Sequence, residues 1–208
     1  MATYASIKHN FTPPAATTSA QVGAGAMTLI KSIDSDGSDA TISFVDGESD
    51  VVLDSTYKTY IFKFISIHSE NDDVHFTFNG RDGSTAYDAT KTSTQFRVFH
   101  TEDDSNQNLG IVTGGDSAQG TGFQYLNFRS SNEDDAGLSG EVWLFNPSST
   151  TFVKHFLAIE NNYETVDVAS ITFYTAGYFN VTAAIDAIQF KFDSGDIQAG
   201  TIKLYGIA

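Results

Sequence analysis

From Met27 to the end of the chain, apolar residues return at every second position in short runs, and no segment keeps a 3.6-residue period. This pattern restricts the fold more than any other feature. A period of two puts alternate side chains on opposite faces of an extended backbone, whereas a buried helix needs apolar residues three and four apart. Clusters of Gly, Asp, Asn and Ser break the runs about every 8–15 residues, as turns between antiparallel strands require. The runs include MTLIKSI (27–33), ATISFV (40–45), TYKTYIFKFISIH (56–68), VHFTFNG (74–80), TQFRVFH (94–100), GFQYLNF (122–128), GEVWLFN (140–146), TFVKHFLAIE (151–160) and VASITFYTAGYFN (168–180). About a dozen short strands predict an all-β, jelly-roll-like sandwich over residues 27–208.

Three stretches carry sharper expectations. In TYKTYIFKFISIH, Tyr60, Phe62 and Phe64 share one face and Ile61, Ile65 and Ile67 the other, which predicts a central strand covered on both sides. In VHFTFNG, Val74, Phe76 and Phe78 alternate with His75 and Thr77, which predicts one wet face. The last 24 residues predict a closing β-hairpin. Ile188, Phe190 and Phe192 point in, a turn at 194–199 holds Gly195, and Ile202 and Leu204 point in again.

Residues 1–26 are different. They are rich in Ala, Thr, Ser and Gly, hold two of the three prolines, and have few large side chains. Such a segment cannot by itself bury enough apolar surface to offset its ordering entropy. It is either a loose tail or an extended N-terminal arm that orders against another subunit. Tyr4, Ile7 and Phe11, spaced around Pro13 and Pro14, suit an arm, and these five are the expected attachment residues.

The charge balance is 26 acidic residues against 11 basic, a net −15. Nucleic-acid binding is excluded as a reading, since Lys and Arg must neutralise phosphates. An anionic membrane is disfavoured for the same reason, and no run approaches the length of a membrane-spanning helix. The chain has no cysteine, so no disulfide or thiolate chemistry is open to it. MATYASIKHNF has no apolar core of a signal peptide, so none is expected.

The residues that could carry chemistry are sparse. DSDGSD (34–39) has part of a calcium loop but lacks the distal Glu of an EF-hand. Other acidic clusters stand at Glu70/Asp72/Asp73, Glu102/Asp103/Asp104 and Glu133/Asp134/Asp135. Gathered at one end of a sandwich they could hold calcium. As ordinary turns they keep an all-β surface soluble, and no cofactor is the expectation. His9, His68, His75, His100 and His155 have no zinc spacing. His100 beside Glu102 and Asp103 is the single conceivable acid–base group. G-x-S-x-G is missing, so no enzyme activity is expected. Trp143, alternating with Phe145 in EVWLF, reads as core or subunit interface. Tyr87 and Tyr125, in or beside the polar stretches 80–93 and 101–121, are the candidate contacts for a host surface glycan.

Three segments, STYKTYIFKFISIH (55–68), LFNPSSTTFVKHF (144–156) and AIDAIQFKFDSGDIQAGTIKLYGI (184–207), give residues 27–208 a resemblance to virion structural proteins of tailed bacteriophages, especially marine cyanophage-like viruses. The resemblance implies a particle-surface component, either a capsid decoration or cement protein or a head fibre, assembled in the host cytoplasm. Its partners would be other virion proteins such as the major capsid protein and further copies of itself, as a trimer. A tail-associated receptor- or carbohydrate-binding module is the alternative. No catalytic residue is implied.

Overall fold

The computed structural model describes residues 27–164 and 168–207. The attachment residues Tyr4, Ile7, Phe11, Pro13 and Pro14 lie outside them. Thirteen strands follow in chain order: β1 Met27–Asp34, β2 Ile42–Val45, β3 Thr59–Ser69, β4 Phe76–Arg81, β5 Lys91–Thr101, β6 Gln107–Ile111, β7 Ser117–Gly120, β8 Gln124–Tyr125, β9 Leu138–Phe145, β10 Lys154–Glu164, β11 Ala169–Phe179, β12 Ala187–Phe192 and β13 Ile197–Ile207. They form two antiparallel sheets. The large one runs β1-β13-β3-β9-β10-β11-β5-β6, with β7 also paired to β5; the small one runs β2-β12-β4-β8.

The small sheet packs on the large one to make the main core. Phe190 of β12 sits in its middle, with ring centroids 5.1 Å from Phe64, 5.3 Å from Phe62 and 6.0–6.3 Å from Phe44, Phe76 and Phe78. Every one of these rings is buried. Offset and edge-on rings of this kind add about 0.5–1.5 kcal/mol per pair beyond the area they bury. The large sheet extends past this cover through β11, β5 and β6. There a second cluster of Ala169, Ile171 and Phe173 is roofed by Phe99, Val112 and Phe128.

The closing stretch has the expected side-chain directions and a different pairing. Ile188, Phe190, Phe192, Ile202 and Leu204 are all buried in the core. Yet β12 pairs with β2 and β4, while β13 pairs with β1 and β3. The turn at 193–196 is therefore a corner between sheets, not a hairpin. Two strands can both point inward from opposite layers, and alternation alone does not separate that case from pairing side by side.

Two other expectations are corrected. β4 has no wet face: Thr77 and Asn79 are fully buried. The Thr77 hydroxyl donates to Lys191 O, and Asn79 Nδ2 donates to Tyr87 O and Thr121 O, so the loops 82–90 and 120–123 are drawn over the strand. Among the described residues a second layer covers β3 on one side only. Tyr60, Phe62 and Phe64 meet the small sheet, while Ile61 and Ile65 face away from it; Ile61 is nevertheless buried, and Ile65 is exposed. A bulge after Phe64, with Ser66 at φ 50°, then turns Ile67 back into the core. Opposite it Gly200 has φ +114°, and a Cβ there would lie 2.6 Å from Ser66 O, so the paired bulges require glycine.

Candidate functional site

The face of the large sheet turned away from the core is the most unusual surface among the described residues. The register places Tyr205, Ile61, Trp143, Leu157 and Ala176 in one row across five neighbouring strands. The next row holds the Lys63–Glu141 pair, then Ile159, Tyr174, Phe96 and Ile111. Val98 and Leu109 continue it below, and Leu29 and Met27 of β1 close the opposite end. Ten of the twelve large hydrophobics that are exposed among the described residues stand on this one face. At about 150–250 Å² for a fully exposed large side chain, their fractional exposures amount to roughly 700–1,200 Å². The largest apolar patch on a typical monomer is about 300–600 Å².

The stripe has relief. A cleft of about 580 Å³ opens along Leu157 and Ala176, walled by Trp143 and Phe145 on one side and by Phe96 and Tyr174 on the other. The last two rings stack at 4.7 Å. Beyond them, at the sheet edge, Ile111 and Leu109 of β6 stand 75% and 68% exposed. The one carboxylate of the stripe is paired, and Lys203 stands next to its partner Lys63 in the same row. Lys63 Nζ donates to Glu141 Oε2 at 2.8 Å, and Trp143 Nε1 donates to Glu141 Oε1 at 2.7 Å. Burial alone would raise the Glu141 pKa, but these two hydrogen bonds and the Lys63 charge outweigh it and hold the carboxyl below its ordinary range. Trp143 thus belongs to this outer face; Val142 and Leu144 beside it fill the core.

The candidate glycan residues lie elsewhere. Tyr125, on β8, packs its partly exposed ring on His75 at 4.9 Å and on Phe128 at 5.2 Å. Tyr87 is partly buried in the loop after β4, its carbonyl held by Asn79. The stretch 101–121 is not an open loop. It contains β6, a 3-10 turn at Thr113–Gly115 and β7, and it is pinned down by Ser93 donating to Gln124 Oε1 and Gln124 Nε2 donating to Gly115 O.

Four of the acidic residues in turns use their carboxylates on their own loop's backbone. Asp36 accepts from Ser38 N and its hydroxyl, Asp54 from Thr56 N, Asp103 from Ser105 N, and Asp46 from Leu53 N. The side-chain hydrogen bonds of Ser38, Thr56 and Ser105 lower the pKa of Asp36, Asp54 and Asp103 respectively. Among the described residues no group of three or more His, Asp or Glu is placed to hold a metal ion. His100 Nε2 lies 2.9 Å from Asp104, not Glu102 or Asp103, in a largely exposed pair. His68 Nε2 lies 2.8 Å from Glu133 O, so that nitrogen carries the proton.

Beneath the sheet lies a polar set that the sequence did not single out. Glu160 and Asn162 face inward on β10 at 2% and 1% exposure, and neither carboxylate oxygen nor either amide atom has a hydrogen-bond partner. Burial raises the Glu160 pKa well above its ordinary value, which favours the neutral acid. Lys91 is also fully buried. Its ammonium donates to Asn79 Oδ1 at 2.9 Å and to the carbonyls of Ala89 and Gly122, and burial pushes it down to about 8 against the opposing pull of Asp88.

Searched against protein families, curated proteins and solved structures, the chain matches none.

Proposed function

We propose that this chain is a structural subunit of a bacteriophage particle, a surface-exposed capsid decoration, cement or head-fibre protein attached through its N-terminal arm, residues 1–26. The observation that carries the reading is the apolar stripe. A sheet face of this size, left uncovered by the described residues, suits a protein whose final layer is supplied by assembly. The strand order supports a jelly-roll type of sandwich. β1-β13-β3-β9 face β2-β12-β4-β8, the chain passes repeatedly from one sheet to the other, and β5–β7 and β10–β11 extend the larger sheet. Sandwiches of that type recur in viral capsids and in lectins. The test is deletion of residues 2–26, with incorporation into purified particles measured by quantitative mass spectrometry. Loss of incorporation is expected. Full occupancy by the truncated protein overturns the anchoring role, and copy number separates capsid decoration, at hundreds, from a tail part.

A second reading, a tail-associated module for a host surface glycan, draws on the partly exposed Tyr125 ring and its His75 and Phe128 neighbours. It requires glycan-array binding that disappears in Tyr125→Ala; no binding across a broad panel removes it.

A further inference from the structure

We propose that the apolar stripe on the outer face of the large sheet is covered by the same face of a second copy of this chain, in a reciprocal two-fold contact. The contact refines the assembly reading by naming one partner, and it does not depend on the phage context or on residues 1–26. Three observations carry it.

The first is area. The stripe exposes roughly 700–1,200 Å² of large apolar side chains. A standard interface takes about 800 Å² from each partner. A small ligand in the cleft would leave most of the face wet, whereas an equal face covers it.

The second is shape. The face carries both a hollow and, at its edge, strongly exposed apolar side chains that can enter one. The hollow runs along Leu157 and Ala176; the exposed side chains are Ile111 and Leu109 on β6, about 14 Å away across three strand spacings. In an isologous contact residue i meets j while j meets i. A two-fold axis between β11 and β5 places Ile111 of each copy in the other's hollow, with the two sheets about 10 Å apart as packed sheets are.

The third is charge. Each copy carries a net −15, so two copies repel unless they meet where acid is scarce. The acidic clusters at 46–54, 70–73, 102–104 and 133–135 lie in turns between strands. Within the stripe the one carboxylate, Glu141, is held by Lys63 and Trp143. With Lys203 beside Lys63 on the same face and a single, paired carboxylate, this largely apolar and acid-poor face can meet its own copy without acid facing acid. It offers nothing to a basic partner, and the overall charge opposes an anionic membrane.

The experiment uses the full chain. Sedimentation equilibrium from 1 to 100 µM is expected to give a mass twice the 22.5 kDa of one chain, or an even multiple of it. Leu157→Lys and Ile111→Lys, at positions 50% and 75% exposed, should keep the circular dichroism and melting temperature of the parent and weaken association at least tenfold. Because the chain has no cysteine, Ile111→Cys and Leu157→Cys chains can be mixed and oxidised. The mixture should cross-link faster than either variant alone. A monomeric parent at 100 µM, an odd number of chains, association unchanged in both lysine variants, or cross-linking confined to Ile111→Cys by itself overturns the proposal. Removal of residues 2–26 should leave the mass at an even number of chains. If that deletion alone yields monomers, the arm and not the stripe holds the copies together and the proposal falls, while the attachment assay on particles is read separately.

Discussion

Replacing Phe190 by alanine removes the ring around which the sandwich packs. Five phenylalanines from three strands, β2, β3 and β4, lie 5.1–6.3 Å from it, and all are buried. Phe→Ala in a core costs about 3–5 kcal/mol, and the cost rises when the surroundings cannot collapse into the space. Here the neighbours stand on strands fixed in two hydrogen-bonded sheets, so the upper half of that range applies. A domain of this size loses about 2–4 °C of melting temperature per kcal/mol, which gives a fall of roughly 8–20 °C. Total stability of ordinary domains is about 5–15 kcal/mol, so Phe190→Ala should remain folded. Phe190→Asp should not, because it adds an unpaired buried carboxylate to the same cavity. Urea unfolding followed by circular dichroism measures the loss, with Phe152→Ala as the control, since Phe152 is exposed and outside the stripe. If Phe190→Ala costs no more than Phe152→Ala, the core is not centred on this ring and the layer assignment fails.

Three further outcomes follow from the same packing. Glu160 has a raised folded-state pKa, so its contribution to stability is full below the unfolded value near 4.5 and is lost as pH rises toward the folded value; Glu160→Gln should therefore match the parent near pH 4 and exceed it by about 1–3 kcal/mol at pH 8, by urea titration. Lys91 is shifted the other way, to about 8 from 10.5, so parent stability should rise by up to about 3 kcal/mol between pH 8 and 10.5, and Lys91→Met should flatten that rise while leaving Asn79 Oδ1 short of a donor. Gly200→Ala should cost about 1–3 kcal/mol in thermal melts, because its φ of +114° strains any side chain and the added carbon meets Ser66 O.

The sequence made the elements legible and left the layers obscure. Alternation marks each strand and divides its side chains into two sets, as it did for Ile188, Phe190 and Phe192. It identifies the inward set only when the other set is polar. In β10 the buried set is Lys154, Phe156, Ala158, Glu160, Asn162 and Glu164, while the outer set includes Leu157 and Ile159. The buried face is the more charged of the two, so polarity misleads. In β4 both sets are buried, because loops distant in sequence are drawn over Thr77 and Asn79. Pairing is less legible still: β12 and β13 join across a four-residue turn and belong to different sheets.

These ambiguities have one physical source, and it bears on function. A strand whose outer residues are Trp143, Leu157, Ile159, Phe96 or Val98 does not look half-exposed, because half-exposed strands of single domains carry polar residues there. The excess of apolar residues over what the core uses is therefore itself a signal. In the closing stretch, the outer set of Gln189, Lys191 and Lys203 is polar, and its inward set could be named from sequence. In β5, β9 and β10 the outer set mixes polar residues with the large apolar Phe96, Val98, Trp143, Phe145, Leu157 and Ile159, and nothing in the strand alone says which face is covered. The strands that resist assignment are among those that build the stripe, and together with β11 they form one continuous run at the middle and far end of the large sheet. Large apolar residues kept on the outer face of strands whose inner face is already closed by folding make sense if the outer face also ends up dry, through association.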